Sequence, residues 1–353
     1  MLRKSYQSMG HGHISRRDFL RISGLSGLGL ATCPLGASLA EAVKFDKKLH
    51  KVSKSRAGMG TIVSITVLNP SKDHAGEAIA IAFEEIERLT KLMNRFDAST
   101  PVAQLNRDGF LKGAPPELSS LIKKSMYYHR ISNGLFDITV KPVLDLFAKS
   151  FKGPKKGPPN EQEITELLGL VDAKRVSLSG KTISFQEDGM GITLDGIAKG
   201  FIVDKAVEKL RKRAIKHALL NAGGDIRTIG DKGNNRPWKI AVQDPLKNGN
   251  YPALVAITNR SIATSGNYEV FFDKEKVFHH IVNPKTGLSP LINVSVSVQA
   301  PTAMEADALS TTLFILDPAR ATRLINSRPH CDSLIVTTNQ EKIKSTGWQG
   351  IGI

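Results

Sequence analysis

The sequence predicts an α+β fold, one unit of mostly antiparallel sheets with flanking helices over residues 41–353, behind a leader of residues 1–40. Two observations carry that reading. Short β-branched runs interleave along the chain with segments of helical period. In addition, neither a repeat of fixed period nor a clean linker divides the chain, while 41% hydrophobic and 23% charged residues suffice for a buried core and argue against disorder or a polytopic membrane protein.

The leader comes first. Its polar, basic start ends in Ser15-Arg16-Arg17-Asp18-Phe19-Leu20, and an uncharged Gly- and Leu-rich stretch runs from residue 22 to Ser38-Leu39-Ala40. Paired arginines before a weakly apolar stretch and small residues at the cleavage positions match a twin-arginine export signal. The mature chain is therefore expected in a periplasm, the alternative being an inner membrane anchor formed by this segment. Leu30-Ala31-Thr32-Cys33 matches a lipoprotein box except at Thr32, and His11-Gly12-His13 is not read as a metal site. Loss of Cys33 with the leader leaves Cys331 as a lone thiol beside the apolar Leu334-Ile335-Val336, a buried structural position.

Residues 60–67 alternate as a strand and Asn69-Pro70 ends it. Ile79, Phe83, Ile86, Leu89 and Met93 follow helical spacing over 75–93, a second helix runs over 116–131, and Asn133-Gly134 stops it. The 152–159 stretch, rich in Lys, Gly and Pro, is an exposed loop. Runs at 176–178 and 182–185 flank Ser179-Gly180 as a hairpin. A short strand at 192–195 precedes a helix over 198–213, and 218–221 is the next strand. Further strands are expected at 238–242, 253–258, 269–272, 277–282 and 293–299. A helix over 303–316 follows, and Asp317-Pro318 starts another.

The formal charge is +16, and the leader's five cations against Asp18 account for +4 of it, leaving +12. So basic a chain suits anionic partners. The cations are scattered, with no zinc-finger spacing and no aromatic interleaving, so nucleic acid is excluded as the partner.

Four segments carry chemistry. Asp195-Gly196-Ile197-Ala198-Lys199-Gly200 sets amides and a lysine at a helix start, an arrangement suited to phosphate, although a plain strand–helix turn also explains it. Asn221-Ala222-Gly223-Gly224-Asp225 allows a ligand close to the backbone, or simply a tight turn. Thr264-Ser265-Gly266-Asn267-Tyr268 precedes His279-His280; consecutive residues of a strand face opposite ways, so one histidine at a time can face a site as a base. Asp307 and Thr311 share a helix face and offer a carboxylate and a hydroxyl to a hard cation, or else a helix-start acid and a packed threonine.

Taken in order with Met59-Gly60-Thr61, Met93-Asn94-Arg95-Phe96-Asp97, Gly134-Leu135-Phe136-Asp137 and His280 to Gly287, these segments resemble the ApbE family of FAD:protein FMN transferases, over most of the mature chain. The resemblance implies a single compact, T-fold-related unit with a flavin cleft. It implies FAD as substrate, Mg²⁺ as cofactor, and transfer of FMN to a Thr or Ser hydroxyl of an exported or membrane-bound acceptor flavoprotein, with AMP leaving. Residue by residue, Asp307, Thr311 and the Ala198 carbonyl would hold Mg²⁺. Asp195 and Lys199 would meet the ribose and phosphates, and Thr264, Ser265 and Gly266 would line the phosphates. Met59, Phe96, Leu135, Phe136, Asp137 and Ile281 would contact the rings. His280 would be the base, with Asp225 as the other residue able to position the incoming hydroxyl. Phe96 stands where many relatives carry Tyr, and Lys141 where Gly is common. The rival readings are an FAD pyrophosphatase that releases FMN and AMP, and a periplasmic flavin-binding protein without turnover; peripheral membrane association is a further expectation.

Overall fold

A computed structural model describes the backbone of residues 40–44 and the full residues 48–152, 157–246, 251–268, 270–274 and 277–350. Residues 1–39 of the leader, with Arg16-Arg17 and Cys33, lie outside the described residues, as do positions 153–156 of the 152–159 loop. No helix among the described residues is long and apolar enough to cross a membrane.

In chain order, β1 (Ala40–Lys44), β2 (His50–Gly58) and β3 (Thr61–Asn69) lead into α1 (Lys72–Met93), which starts where Ser71 Oγ accepts the His74 N–H at 3.2 Å. Then come α2 (Pro101–Asp108), β4 (Phe110–Leu111), α3 (Pro116–Ile131), α4 (Lys141–Lys152), α5 (Glu161–Leu168) and the hairpin β5 (Val176–Ser179)–β6 (Thr182–Phe185). After α6 (Ala198–Lys212) lie β7 (His217–Ala222), β8 (Asp225–Ile229), β9 (Trp238–Ala241), β10 (Leu254–Ile257), β11 (Ser261–Gly266) and β12 (Asn293–Ala300). The chain continues through α7 (Ala303–Ile315), α8 (Pro318–Asn326), β13 (Asp332–Thr337) and β14 (Lys342–Lys344).

Nine strands form one antiparallel sheet in the order β1-β2-β3-β7-β8-β11-β12-β13-β14; β9–β10 and β4-β6-β5 are small sheets of their own. The alternation of β7 explains the layering. Ala218, Leu220 and Ala222 join the main core under the helices, while Leu219 packs with Ile226, Ile240, Val255 and Trp348 on the opposite face. Helices α1, α6 and α7 lie side by side over the sheet. Cys331 is buried and free, and desolvation pushes its thiol up to about 12.

Three expectations change. Residues 192–194 are extended but belong to no sheet. The Asn106 side chain takes the place of a partner strand, accepting the Ile192 N–H at 2.7 Å and donating to the Ile192 carbonyl at 2.9 Å, while Thr193 N–H reaches the Ile138 carbonyl. The strands expected at 269–272 and 277–282 reduce, among the described residues, to one bridge between Phe271 and His279. Polar side chains replace the ladder there: Asp273 accepts from the N–H groups of Val277 and Phe278, and Ser289 Oγ brackets His279. The interval 138–168 holds two helices that hydrophobic spacing did not reveal, α4 and α5.

Candidate active site

Two tight hairpins stand next to each other at one end of the large sheet. Gly58 pairs with Thr61 across Met59-Gly60, and Ala222 with Asp225 across Gly223-Gly224; all four loop residues have positive φ. β3 pairs with β7 at Val63 and Ala222, which brings the turns together, and a Cβ on Gly223 would lie 2.5 Å from Thr61 Oγ1. Met59 is half-buried at its apex against the main core. The second turn delivers Asp225, which is 2% exposed with Oδ2 2.9 Å from the Lys199 ammonium.

Lys199 lies in the first turn of α6. The residue before this helix, Ile197, supplies no side-chain cap. One first-turn amide, that of Gly200, donates to Asp307 Oδ2 at 3.0 Å, across to α7. Asp307 is 4% exposed. Burial, and after it the Asp225 carboxylate, push its pKa up to about 8, against the pull of Lys199 and the Gly200 amide. One turn on, Thr311 Oγ1 lies 3.2 Å from Ser265 Oγ, which also meets Ser310 Oγ at 2.8 Å. Gly196 presses on this spot: a Cβ there would sit 3.1 Å from Thr311 Oγ1 and 3.4 Å from the Phe136 ring. Thr264 Oγ1 pairs with Ser297 Oγ at 2.8 Å, and Gly266 ends β11. The structure thus brings together Asp195, Lys199, Asp225, Ser265, Asp307 and Thr311, with Ala198 beside them at the helix start.

The two histidines separate as alternation requires. His279 is fully buried, with Nε2 3.0 Å from the Pro290 carbonyl and its ring edge-on to Phe314; desolvation lowers its pKa to about 4. His280 points the other way. Its Nδ1 lies 3.3 Å from the Val270 carbonyl, which assigns the proton to Nδ1 and leaves the lone pair on Nε2. Burial holds its pKa below the ordinary value. Asp195 and Lys199 are close enough to bias it in opposite directions, which places it with the cluster. Phe272 and Phe278 anchor the same segment by packing on Phe147 of α4, with centroids 5.9 and 5.4 Å away. Ile281 is buried in the main core.

At the rim, Arg95 and Asp145 are residues that sequence reading gave no role. Arg95 stacks on Phe96, which is 77% exposed, with its guanidinium carbon 4.1 Å from the ring centroid, and its Nε donates to Asp195 Oδ2 at 3.1 Å. Arg95 also reaches Asp145 at 3.5 Å, the carboxylate that pairs with Lys141. The unusual lysine is therefore neutralised within a chain of ion pairs that ends at Asp195.

Leu135 is half-buried and Phe136 is a core residue, edge-on to Tyr128. Asp137 departs from its expected role. Its Oδ1 accepts from the N–H and hydroxyl of Thr139, and its Oδ2 accepts the Ala173 N–H and lies 3.0 Å from His129 Nδ1. A carboxylate so engaged supports the loop and has little capacity left for a ligand. His129 Nε2 lies 3.6 Å from Asp172, and the contact with Asp137 raises the histidine's pKa. His129, Asp137 and Asp172 lie within 4.8 Å of one another as potential metal ligands, but the imidazole turns a different nitrogen to each carboxylate, the geometry of a bridging imidazolium.

Comparison with known proteins shows the family and the fold. The model of the ApbE family matches residues 59–335. The FAD:protein FMN transferase of Haemophilus influenzae is 29% identical over 331 residues, covering 88% of this chain and 93% of the relative. That of Treponema pallidum is 30% identical over 329 residues, covering 85% and 88%. The crystal structure of the ApbE protein of Thermotoga maritima superposes with a TM-score of 0.76 at 28% identity, covering 84% of this chain and 97% of that one. The flavin transferase ApbE of Vibrio cholerae, at 22% identity and a TM-score of 0.72, shares the fold.

Proposed function

The chain belongs to the ApbE family, and from that premise we propose that it transfers the FMN half of FAD to a Thr or Ser hydroxyl of an acceptor flavoprotein, releasing AMP. The observation that carries this reading is the meeting, at an α6 N-terminus without a side-chain cap, of Lys199, Asp225, Asp307 and Thr311, with His280 alongside. A phosphate set there meets the positive end of a helix and the Lys199 ammonium.

A hard cation suits the donor set. Asp307 is a buried carboxylate pushed up to about 8 partly by a second carboxylate, so a nearby positive charge relieves it, and Thr311 supplies a neutral oxygen one turn away. Asp307, Thr311 and the Ala198 carbonyl would hold Mg²⁺, which when bound neutralises charge on the pyrophosphate. The chain's own residues do the rest. Asp225 holds Lys199 toward the phosphates. Neutral His280 accepts the acceptor hydroxyl's proton at Nε2, and the low pKa keeps that lone pair available at neutral pH. Arg95 and Asp195 fix Phe96 as an exposed stacking surface for a ring.

We place the reaction outside the cytoplasmic membrane, on an exported or membrane-bound acceptor; Arg16-Arg17 and the uncharged stretch behind them support that location. The test is incubation of the mature chain with FAD, Mg²⁺ and an exported flavoprotein carrying an acceptor threonine. The expected product is a fluorescent, SDS-resistant FMN adduct on that protein. Free FMN and AMP in place of the adduct would identify a pyrophosphatase, and FAD recovered intact would identify a binding protein.

A further inference from the structure

Helices α6 and α7 exchange backbone donors. The Gly200 N–H of α6 goes to Asp307 of α7 at 3.0 Å. In return, the first two amides of α7 go to one carboxylate of α6: Ala303 N–H to Asp204 Oδ1 at 2.9 Å and Met304 N–H to Asp204 Oδ2 at 3.0 Å. Gly200 and Asp204 are one turn apart and so share a face. Contact there is backbone to backbone, since a Cβ on Gly200 would fall 2.3 Å from the Ala303 carbonyl oxygen. Asp204 Oδ1 takes a third donor, Arg227 Nη1 at 2.7 Å, from β8, two residues beyond Asp225. One side chain therefore ties together the three elements that carry Lys199, Asp225 and the pair Asp307 and Thr311. The side chains of Asp204 and Arg227 are 15% and 9% exposed.

We propose that Asp204 is a positioning residue for the divalent-ion site, holding α7 in register with α6 and β8 so that Asp307 and Thr311 face Lys199 and Asp225. The inference rests on the proposed transferase reading. Asp204 lies one turn along α6 from Gly200 and acts through the helix it caps. Its three donors require a carboxylate. An asparagine accepts on one oxygen only and turns an NH₂ group toward one of the donors.

The experiment titrates the full mature chain, with FAD present and acceptor absent, with Mn²⁺, and reads free Mn²⁺ by electron paramagnetic resonance. Asp204→Asn is expected to raise the half-saturating Mn²⁺ concentration by about tenfold or more, the scale on which outer partners of a metal site act. Transfer at saturating Mg²⁺ should fall by less than about threefold, because every atom at the reacting centre is retained. Asp317→Asn supplies the control. Asp317 likewise caps a helix, α8, by accepting the Arg320 N–H at 3.0 Å, but α8 carries none of the site's residues. It should keep most of the parent's stability, since asparagine caps a helix about as well as aspartate, and leave Mn²⁺ binding within about twofold of the parent. If Asp204→Asn does not fold, Arg227→Gln spares both caps and should still weaken Mn²⁺ binding by about threefold or more. Parent-like Mn²⁺ binding in Asp204→Asn, or in Arg227→Gln where that is the variant read, overturns the inference alone; so does an equal loss in Asp317→Asn. A parent protein that binds no Mn²⁺ with FAD overturns the transferase reading as well.

Discussion

The N-termini of α6 and α7 lie against each other and are finished in different ways. At α7, Asp204 takes the first two amides, Thr302 Oγ1 the third at 3.1 Å, and the Thr302 carbonyl the fourth. All four donors that a helix start leaves over are thereby satisfied. At α6, Ile197 offers no side-chain cap: the Ala198 amide returns to the Leu194 carbonyl at 2.8 Å, the Phe201 amide goes to the Ile197 carbonyl at 3.1 Å, and the Gly200 amide is lent to Asp307. Ser71, Thr100, Asn160 and Asp317 cap α1, α2, α5 and α8, while α3 opens on Pro115-Pro116, the second of which has no N–H to satisfy. This end, open only in the sense that no side chain of its own approach caps it, is thus a departure from this chain's own habit. A helix start capped from its own approach is fixed by local contacts; the start of α6 is tied instead to Asp307 of the facing helix, so its first turn and the site are placed together.

The largest effect expected from this contrast follows removal of the carboxylate that bridges the two ends. Asp307→Ala takes away the proposed ion ligand and the acceptor of the Gly200 amide together. Transfer should fall by at least about 10²-fold, the scale of losing one electrostatic contact at developing charge. Steady-state transfer over a Mg²⁺ series checks this, and activity within about threefold of the parent would show that the open end works without a cation. The parent protein should also bind divalent ions more tightly as pH rises toward and past 8. The reason is competition: a carboxyl pushed up to about 8 is mostly protonated at pH 6.5, and the ion must displace that proton.

The contrast was only half legible in the sequence. Asp307 and Thr311, four residues apart, and Lys199 at a helix start could be read because each depends on local spacing. Asp204 could not, since its partners lie about a hundred residues away on another helix and, in Arg227, on a strand, and nothing near it distinguishes it from any charged residue of an amphipathic face. Much of the fold followed the same rule. α1, α3, α6, α7 and the β5–β6 hairpin announce themselves by period and turn. β8, buried at every position, shows no alternation to read. α5 did carry a local signal, the reciprocal box of Asn160 and Glu163. The 192–194 segment misled because its β-branched composition is satisfied by one asparagine side chain instead of by a strand.

A second, smaller effect tests the contact between the two ends. At Gly200 the new methyl of Gly200→Ala has backbone, not a yielding side chain, in front of it, so α6 and α7 must move apart near Ala303. The expected loss is roughly 1–3 kcal/mol of stability, the range for overpacking, and urea denaturation measures it. Because the shift falls between Lys199 and Asp307, the Mg²⁺ requirement should rise with it. An unchanged Mg²⁺ requirement alongside the stability loss would mean that the register of the two helices does not set the ion site.

The smallest effect separates capping a helix from placing it. Thr302 and Asp204 both close α7, but Thr302 belongs to α7's own approach and binds the Glu305 amide locally, whereas Asp204 reaches across from α6. Thr302→Ala should therefore cost about 1 kcal/mol, the usual value of a lost N-cap, or about 2 °C in melting temperature for a domain of this size. Transfer rate and Mn²⁺ affinity at 25 °C should stay at parent values, because the tie between helices survives. If Thr302→Ala weakened Mn²⁺ binding as far as Asp204→Asn does, fraying of α7 from any cause would be enough to spoil the site. The closed end would then contribute only its rigidity. If only the Asp204 variant weakens it, what the closed end contributes is a position for Asp307 and Thr311 measured against the open end beside it.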